Sequence, residues 1–219
     1  MSYLETLHEI NCYEIVICND GSADKTKDIL DDIALGNNKI KVISLPKNQG
    51  AAAALKKAIE NTTYDWILLL DSDGQFPIHN LNYFLNDLVE AKKEIIGFKG
   101  SRKNKKDSFF MRFGSKCSGM LLNIVYNTKY QDFNSAFMLV KASILKKINL
   151  EAKGLNYSTD ITGKLAELGI VLKEIEIEQI ERQGSVSTKN VFKSAVHRFF
   201  FVSYLIFRRI LLKMDIIKV

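Results

Sequence analysis

The sequence predicts an α/β fold in which a mostly parallel sheet is flanked by helices. Short apolar runs of strand length alternate with longer stretches whose apolar residues recur at helical spacing. Several strand-like runs end in acidic side chains, at Asp20, Asp71 and Asp132, and ligands of open α/β sheets bind beyond such strand ends. The 219 residues and the hydrophobic content of 47% suffice for one domain with a substantial core. We assign this domain to residues 1–188 and a separate tail to residues 189–219.

The first elements follow one another closely. The first strand pattern ends in a turn beside Gly21, and either Ser22 or Asp24 can cap the helix after it. The helix after the second strand opens on small residues, so its free N–H groups can face an anion. Close packing on the sheet explains these alanines equally well. The predicted elements are a helix over 1–11, a strand over 13–18, a helix over 24–35, a strand over 39–45 and a helix over 51–61.

The rest of the domain continues the alternation. Residues 66–70 form an apolar run suited to a strand that is buried on both faces. Further elements are predicted as a helix over 78–93, a strand over 94–100, a strand over 135–140, a helix over 157–168 and a strand over 169–178. Another helix is predicted over 111–126, and we expect its core face to consist of Phe113, Cys117, Met120, Leu121 and Ile124.

The run at 66–70 ends abruptly in two carboxylates, Asp71 and Asp73. Two carboxylates one residue apart cannot both ionise comfortably without a counter-charge. A hard divalent cation with oxygen ligands suits them, and such a cation also binds phosphates. The alternative is a surface turn whose aspartates cap the next helix. Asp20 occupies the same kind of strand end, and its alternative role is turn chemistry beside Gly21.

Charge and composition limit the partners. The formal charge of +6 and the isoelectric point near 9.1 favour an anionic partner, although a generally lysine-rich composition would also produce them. The three cysteines have no C-x-x-C spacing, which indicates a reducing compartment, and no histidine is spaced to complete a zinc site. We expect no signal peptide and no transmembrane helix, because no apolar run approaches 18 residues.

Six segments carry the remaining signal. In chain order they are EIVICNDGSADKT (14–26), NQG with the alanines up to 58 (48–58), DSDGQFP (71–77), GSRKNKKDSFFMR (100–112), YQDFNSAF (130–137), and a closing pattern of Gly169, Glu174, Arg182 and the Gly-Ser pair at 184–185. Together they resemble the family 2 glycosyltransferases of GT-A fold, and among these the polyprenyl-phosphate sugar transferases. The resemblance covers residues 13–185.

For the donor, the resemblance implies a UDP- or GDP-linked nucleotide sugar. Asp20 would contact the base or ribose, and Asp71 the ribose or a metal. Asp73 and Gln75 would hold Mg²⁺ or Mn²⁺ against the diphosphate, where the cation offsets developing charge. The remaining implied donor-binding residues are Asn48, Gly50, Arg102 and Arg182.

For the acceptor, the resemblance implies a polyprenyl phosphate and a role in cell-envelope glycan or glycolipid synthesis. Arg102 and Arg112 would face phosphate, and Asp132 would border the sugar and the acceptor. Asp160 falls where many relatives have an acidic base or sugar contact. A phosphate oxygen is already anionic, so direct displacement needs no strong base and implies inversion at the sugar carbon.

The chain departs from the family at its start. The family opens with a P-x-Y-N-E strand, central in the sheet, that precedes the first strand found here, so we expect an N-terminally truncated chain. Asn19 and Ala58 are milder replacements of an aspartate and a glycine. These departures leave a second hypothesis, a truncated non-catalytic remnant or binding partner. A nucleotidyltransferase is a third, which does not account for D-x-D-x-Q-x-P.

The tail at 189–219 combines aromatic and aliphatic residues with flanking basic ones. This composition favours a helix lying in a membrane interface, peripheral on the inner, cytoplasmic face of the cell membrane. The alternatives are a helix packed on the sheet or one that supports a homo-oligomer. The aromatic residues are too contiguous for a basic single-strand groove, so no nucleic-acid partner is expected.

Overall fold

The structure, a computed structural model, describes residues 3–91, 94–103, 109–152, 154–181 and 191–217. The chain forms two compact units. The first comprises Met1–Ile67 and Val140–Tyr157, and the second comprises Leu68–Leu139 and Ser158–Val219.

The first unit is built on a parallel strand pair. Strands β1 (Ile15–Asn19) and β2 (Ile40–Ser44) are joined by helix α1 (Thr26–Leu35). Helix α1 packs against β2, and helix α2 (Ala51–Glu60) packs against β1. The N-cap residue of α1 is Lys25 and not Ser22 or Asp24, but the Asp24 carboxylate accepts the N–H of Thr26, the first residue of the helix, at 3.0 Å. The short helix α5 (Ala142–Leu145) also belongs to this unit.

The second sheet has four strands in the order β3-β5-β4-β6. They are β3 (Trp66–Leu69), β4 (Gly97–Arg102), β5 (Met138–Lys141) and β6 (Lys173–Ile177), and β4 and β6 run parallel. The helices of this part are α3 (Leu81–Val89), α4 (Phe109–Tyr126), α6 (Tyr157–Glu167) and α7 (Val191–Lys213).

The core of the second unit is aromatic. Phe84 of α3, Phe98 of β4 and Phe137 are completely buried. The ring centroid of Phe84 lies 5.4 Å from that of Phe98 and 5.3 Å from that of Phe137. These contacts fix α3 to the sheet, and with it the loop that precedes α3.

Helix α7 packs against α4, and an ion pair fixes it further. Arg208 donates through Nη2 to Oε2 of Glu167 at 3.1 Å, and the glutamate side chain is fully buried. The Tyr126 hydroxyl donates to the same carboxylate at 3.3 Å. The pKa of Tyr126 is raised, mainly because its hydroxyl is buried and secondly because of the nearby negative charge of Glu167. The tail helix therefore packs on α4 and is paired with α6, whereas the alternative considered was a helix packed on the sheet.

The predicted core face of α4 is wrong. Phe113, Met120, Leu121 and Ile124 are between 50% and 76% exposed, and Cys117 is exposed too. The buried face of this helix consists of Ser115, Ser118, Gly119, Leu122 and Tyr126. Apolar periodicity identified the helix correctly but selected the opposite face, because Asn134 donates hydrogen bonds to Ser115 and Ser118 on the buried side of α4.

Other predictions need smaller corrections. The predicted helix over 1–11 is a single 3-10 turn at Leu4–Thr6 within the described residues. Strand β3 is buried on alternate residues rather than on both faces, and Leu70 is 47% exposed. The described strands form a parallel pair, β1-β2, and a four-stranded sheet, where one sheet was expected. Within the described part of the chain, no helix is long and apolar enough to cross a bilayer.

Candidate active site

The turn after β1 is held to the loop before α2. Both oxygens of the Asp20 carboxylate accept backbone N–H groups, from Gln49 at 2.7 Å and from Gly50 at 2.8 Å. Gly21 has a φ of +64°, and a Cβ there would lie 2.4 Å from the carbonyl carbon of Lys47. Only glycine fits this close approach. Asp20 therefore shapes the segment that carries the exposed Asn48.

Gly50 ends this loop and begins α2. Its φ of +93° lies in the left-handed region, and its carbonyl accepts the N–H groups of Ala53 and Ala54. The structure thus brings together two of the predicted donor-binding residues, Asp20 and Gly50, through a direct hydrogen bond. The local turn bond beside Gly21 is made by Asn19, whose Oδ1 accepts the N–H of Ser22 at 3.1 Å, whereas both Asp20 oxygens bind the loop before α2.

The Asp71–Pro77 segment has a fixed shape of its own. Oδ1 of Asp73 accepts the backbone N–H of Gln75 at 3.0 Å. The Gln75 carbonyl accepts the N–H of Ile180 at 3.0 Å, just beyond β6. Asn80 then exchanges two hydrogen bonds with the backbone of Glu178, at 2.9 and 3.0 Å. The predicted metal loop is therefore fastened to the carboxyl end of β6.

The residues of this loop fit a hard cation. Asp71, Asp73 and Gln75 offer only carboxylate and amide oxygens, the donors that Mg²⁺ and Mn²⁺ prefer. Among the described residues, no group of three or more His, Cys, Asp or Glu side chains could hold a metal by itself. Magnesium is commonly held by one or two carboxylates and completed by substrate phosphates. The loop suits a cation that arrives with a diphosphate.

Arg102 and Asp132, both predicted site residues, form a buried bidentate ion pair. The Nε–Oδ2 distance is 2.6 Å and the Nη2–Oδ1 distance is 3.1 Å, with side-chain exposures of 12% and 1%. Glu174 of β6 accepts the backbone N–H groups of Gln131 at 2.7 Å and Asp132 at 2.8 Å. The carboxyl end of β4, through Arg102, and the start of β6, through Glu174, thus both contact the predicted acceptor segment.

Asn134 lies in the predicted acceptor segment, and the sequence analysis did not single it out. Its Nδ2 donates to the carbonyl and hydroxyl oxygens of Ser115 at 3.1 Å, and its Oδ1 accepts from Thr159 at 2.8 Å. Its carbonyl accepts from Ser158 at 3.0 Å. Asn134 therefore joins the segment after Asp132 to α4 and to α6. Nothing in its spacing distinguishes it from a turn asparagine.

The other predicted residues occupy different environments. Asp160 is fully buried in the first turn of α6, with Nζ of Lys164 3.8 Å from its Oδ1. Arg112 is exposed near the start of α4. Arg182 lies outside the described residues. The buried Lys99 of β4, which the sequence analysis did not single out, contacts both the acceptor segment and α6.

The comparison with known families covers most of this architecture. The sequence model described as "Glycosyl transferase family 2" matches residues 4–149, which include the Asp20 turn, the Asp71–Pro77 segment and the Arg102–Asp132 pair. The chain belongs to glycosyl transferase family 2. The resemblance inferred from the six segments is confirmed.

Proteins with sequences similar to this family 2 chain include sugar transferases named for bactoprenol and dolichyl phosphate. The chain is 26% identical over 175 residues to CsbB of Bacillus subtilis (strain 168), a protein named as a glycosyltransferase. This match covers 80% of the chain and 51% of CsbB. The chain is 26% identical over 186 residues to the bactoprenol glucosyl transferase of Shigella phage SfX, covering 82% and 57%. Human dolichyl-phosphate beta-glucosyltransferase is 32% identical over 121 residues, covering 51% and 37%. The chain spans about half the length of the curated relatives it matches.

Solved structures support the GT-A fold. Glucosyl-3-phosphoglycerate synthase from Mycobacterium tuberculosis, crystallised with Mn²⁺, UDP-glucose and glycerol 3-phosphate, matches with a TM-score of 0.66 at 14% identity. The match covers 95% of this chain and 74% of the synthase. At this identity the likeness concerns the fold, and it confirms the α/β class predicted from the sequence.

Proposed function

We propose that this family 2 chain transfers a sugar from a UDP- or GDP-linked donor to a polyprenyl phosphate, with inversion at the sugar carbon. The observation that carries the proposal is the family match over residues 4–149, together with relatives named for bactoprenol and dolichyl phosphate. These similarities do not favour the non-catalytic remnant. The six ordered segments argue against a nucleotidyltransferase.

The donor-binding residues are proposed from the family resemblance, and they follow strands β1, β2 and β3. Asp20, Asn48 and Gly50 would receive the nucleoside, while Asp73 and Gln75 would hold Mg²⁺ or Mn²⁺. That cation would offset the charge that develops on the departing diphosphate. The hydrogen bond from the Gln75 N–H to Asp73 supports this role, because it holds one carboxylate oxygen in a fixed direction. Asp71 and Arg182 complete the proposed donor set.

In the proposed reaction, a phosphate oxygen of the acceptor attacks the anomeric carbon from the face opposite the diphosphate. A new carbon–oxygen bond forms as the bond to the diphosphate breaks, and a nucleoside diphosphate leaves with the electron pair. Arg102, oriented by both oxygens of Asp132, would face phosphate together with Arg112. Asp160 would contact the sugar or act as a base.

The donor site is tested first by ligand-dependent thermal unfolding. Wild type, Asp73→Ala and the control Ser72→Ala, whose side chain is exposed in the same loop, are heated with Mn²⁺ and either UDP or GDP. A ligand that binds only the folded protein stabilises it by about 2.7 kcal/mol at a hundred times its Kd. We expect a Mn²⁺-dependent rise in Tm with one nucleotide, retained in Ser72→Ala and lost in Asp73→Ala.

Transfer itself is then measured with the UDP- or GDP-sugars selected by that binding and with a polyprenyl phosphate in detergent. We expect a radiolabelled glycolipid that depends on Mg²⁺ or Mn²⁺ and is lost in Asp73→Ala. Absence of a Tm shift with every nucleotide would contradict the proposal. A shift without transfer to any polyprenyl phosphate would contradict the acceptor class alone.

The proposal includes a membrane surface formed by α4 and α7. The exposed stripe of α7 contains Phe200, Phe207 and Ile210, Met214 directly after the helix is exposed too, and the exposed face of α4 is apolar as well. The two helices contain two and five lysines or arginines respectively, and no acidic residue. A broad apolar face with only basic charge complements an anionic bilayer interface. This retains the expected peripheral position on the inner face of the cell membrane.

Vesicle flotation tests this surface. Wild type is mixed with phosphatidylcholine vesicles with or without phosphatidylglycerol, beside Phe200→Ser/Phe207→Ser and the control Tyr83→Ser, which changes an exposed aromatic of α3. We expect wild type and the control to float with the anionic vesicles, and the double variant to remain in solution. Equal flotation of all three proteins would contradict the proposed surface. A homodimer seen by light scattering, with no flotation, would favour a second copy of the chain as the occupant.

A further inference from the structure

Strand β4 carries a lysine in the core of the second unit. Lys99 is completely buried, and its ammonium donates to the Ser135 carbonyl at 2.7 Å and to the Thr162 hydroxyl at 3.0 Å. The ring centroid of Tyr130 lies 6.0 Å from the same nitrogen. Burying an ammonium group is costly unless hydrogen bonds compensate for the lost water. An unbranched apolar side chain would fill the same volume without that cost. Met138, which is fully buried on the neighbouring strand β5, is such a side chain.

Ser135 and Thr162, which both accept from Lys99, belong to the two segments that carry the predicted catalytic carboxylates. Ser135 stands three residues after Asp132, and its N–H donates to the Asp132 carbonyl at 3.2 Å. Thr162 stands two residues after Asp160 on α6, and its hydroxyl donates to the Ser158 carbonyl at 2.8 Å. One ammonium group therefore joins the segment of Asp132 to the helix of Asp160.

We propose that Lys99 is a positioning residue, whose buried ammonium fixes the Asp132 segment against α6 and so sets the arrangement of Asp132 and Asp160 for transfer. The inference rests on the proposed function. It assigns no substrate contact to Lys99, because the side chain is fully buried. Its effect on the reaction passes through the Ser135 carbonyl and Thr162.

The test compares wild type with Lys99→Met, Thr162→Val and the control Lys173→Met. Methionine keeps the length of the lysine chain, and valine keeps the shape of threonine, so Thr162→Val tests one contact if Lys99→Met does not fold. Lys173 is an exposed lysine on β6, paired with Asp87 at the surface. Each protein is measured for Tm, for Mn²⁺-dependent nucleotide binding, for hydrogen exchange by peptide, and for kcat and KM.

Local loosening should appear first in hydrogen exchange. In Lys99→Met we expect faster exchange in peptides covering 132–137 and 158–164, and unchanged exchange in β1 and β2. Thr162→Val should show the same pattern to a smaller extent, and Lys173→Met should match wild type. Unchanged exchange at both segments, or an equal increase throughout the chain, would overturn the proposal.

Comparing the changes in kcat and in donor KM distinguishes a loss of positioning from general destabilisation. We expect kcat of Lys99→Met to fall on the order of tenfold to a hundredfold, as small misplacements of catalytic groups do, with nucleotide affinity and donor KM unchanged. A normal kcat, or a loss confined to donor KM, would overturn the proposal. If wild type binds no nucleotide and transfers no sugar, the proposed function fails, and the exchange comparison alone then decides whether Lys99 joins the two segments.

Discussion

The ion pair between Arg102 and Asp132 is buried, whereas Lys103, directly after β4, pairs in solvent with Glu176 of β6. Removing one partner of a buried pair leaves an uncompensated charge, so Asp132→Asn should lower the free energy of unfolding by about 3–5 kcal/mol. Glu176→Gln breaks an exposed pair of 2.6 Å and should leave that free energy nearly unchanged. Urea unfolding of both variants at pH 7 measures the difference. Equal losses would show that Arg102 finds other partners.

Gly21 and Gly74 both have positive φ angles, of +64° and +71°, but their surroundings differ. A Cβ at Gly21 would lie 2.4 Å from backbone, while one at Gly74 would meet nothing within 4 Å. Gly74→Ala should therefore cost only the conformational penalty, about 1–2 kcal/mol. Gly21→Ala should cost more, because the Asp20 turn must separate from the loop before α2. Thermal unfolding compares the two, and equal changes in Tm would contradict the close approach.

Cys18 differs from the exposed thiols of Cys12 and Cys117. The pKa of the Cys18 thiol is raised, mainly by burial and secondly by the negative charge of Asp20. Because the thiolate is the reactive species, a raised pKa lowers reactivity at neutral pH. Iodoacetamide at pH 8 should modify Cys18 more slowly than the other two, as read by peptide mass spectrometry. In denaturant the three rates should converge, and a persistent difference would point to a cause other than the folded surroundings.

At the scale of whole elements, periodicity predicted the strands and helices well and the buried faces less well. The β1-α1-β2 unit and the strand before Asp71 follow directly from apolar runs that end in turn residues. The face of α4 does not. Asn134, distant in sequence, binds Ser115 and Ser118, and this pairing places the small polar side of α4 inward.

The candidate site shows the same division between local and distant contacts. The hydrogen bond between Asp73 and Gln75 is contained in one short motif, so residue types and spacing were enough to single out that loop. The Arg102–Asp132 pair needs β4 and the acceptor segment to meet, yet each partner was identified through its own motif. Lys99 and Asn134 act only through contacts with other elements, and a single sequence does not distinguish a buried lysine from an exposed one.

Helix α7 has one face packed on the protein and one face exposed to solvent. A residue on each face can be tested separately. Leu205 is fully buried, while Phe207, two residues later, is 60% exposed. Leu205→Ala should lower the free energy of unfolding by about 2–5 kcal/mol through the cavity it leaves. Phe207→Ala should change it by less than about 0.5 kcal/mol. Urea unfolding checks both values, and a large loss in Phe207→Ala would mean that this face packs on protein instead of being exposed.

For the molecule as a whole, the charge distribution predicts how membrane binding responds to salt. The formal charge is +6, and α4 and α7 together contribute only basic residues. Each Lys or Arg near an anionic surface contributes about 1 kcal/mol, and this term falls as the Debye length shortens from about 8 Å at 0.15 M to 3 Å at 1 M salt. The contribution of buried aromatic side chains does not depend on salt in this way.

Affinity for phosphatidylglycerol-containing vesicles should therefore have two separable parts. Raising the salt from 0.15 M to 1 M should weaken binding by at least about tenfold and leave a residual affinity. The double variant Lys116→Ala/Lys213→Ala should bind with a weaker dependence on salt, and it should keep the residual affinity at high salt. Phe207→Ser should lower affinity equally at both salt concentrations. Flotation across a salt series measures the curves of all three proteins. Binding that disappears completely at 1 M in wild type would mean that α4 and α7 contact lipid through charge alone, and the exposed aromatic face would then need a protein partner.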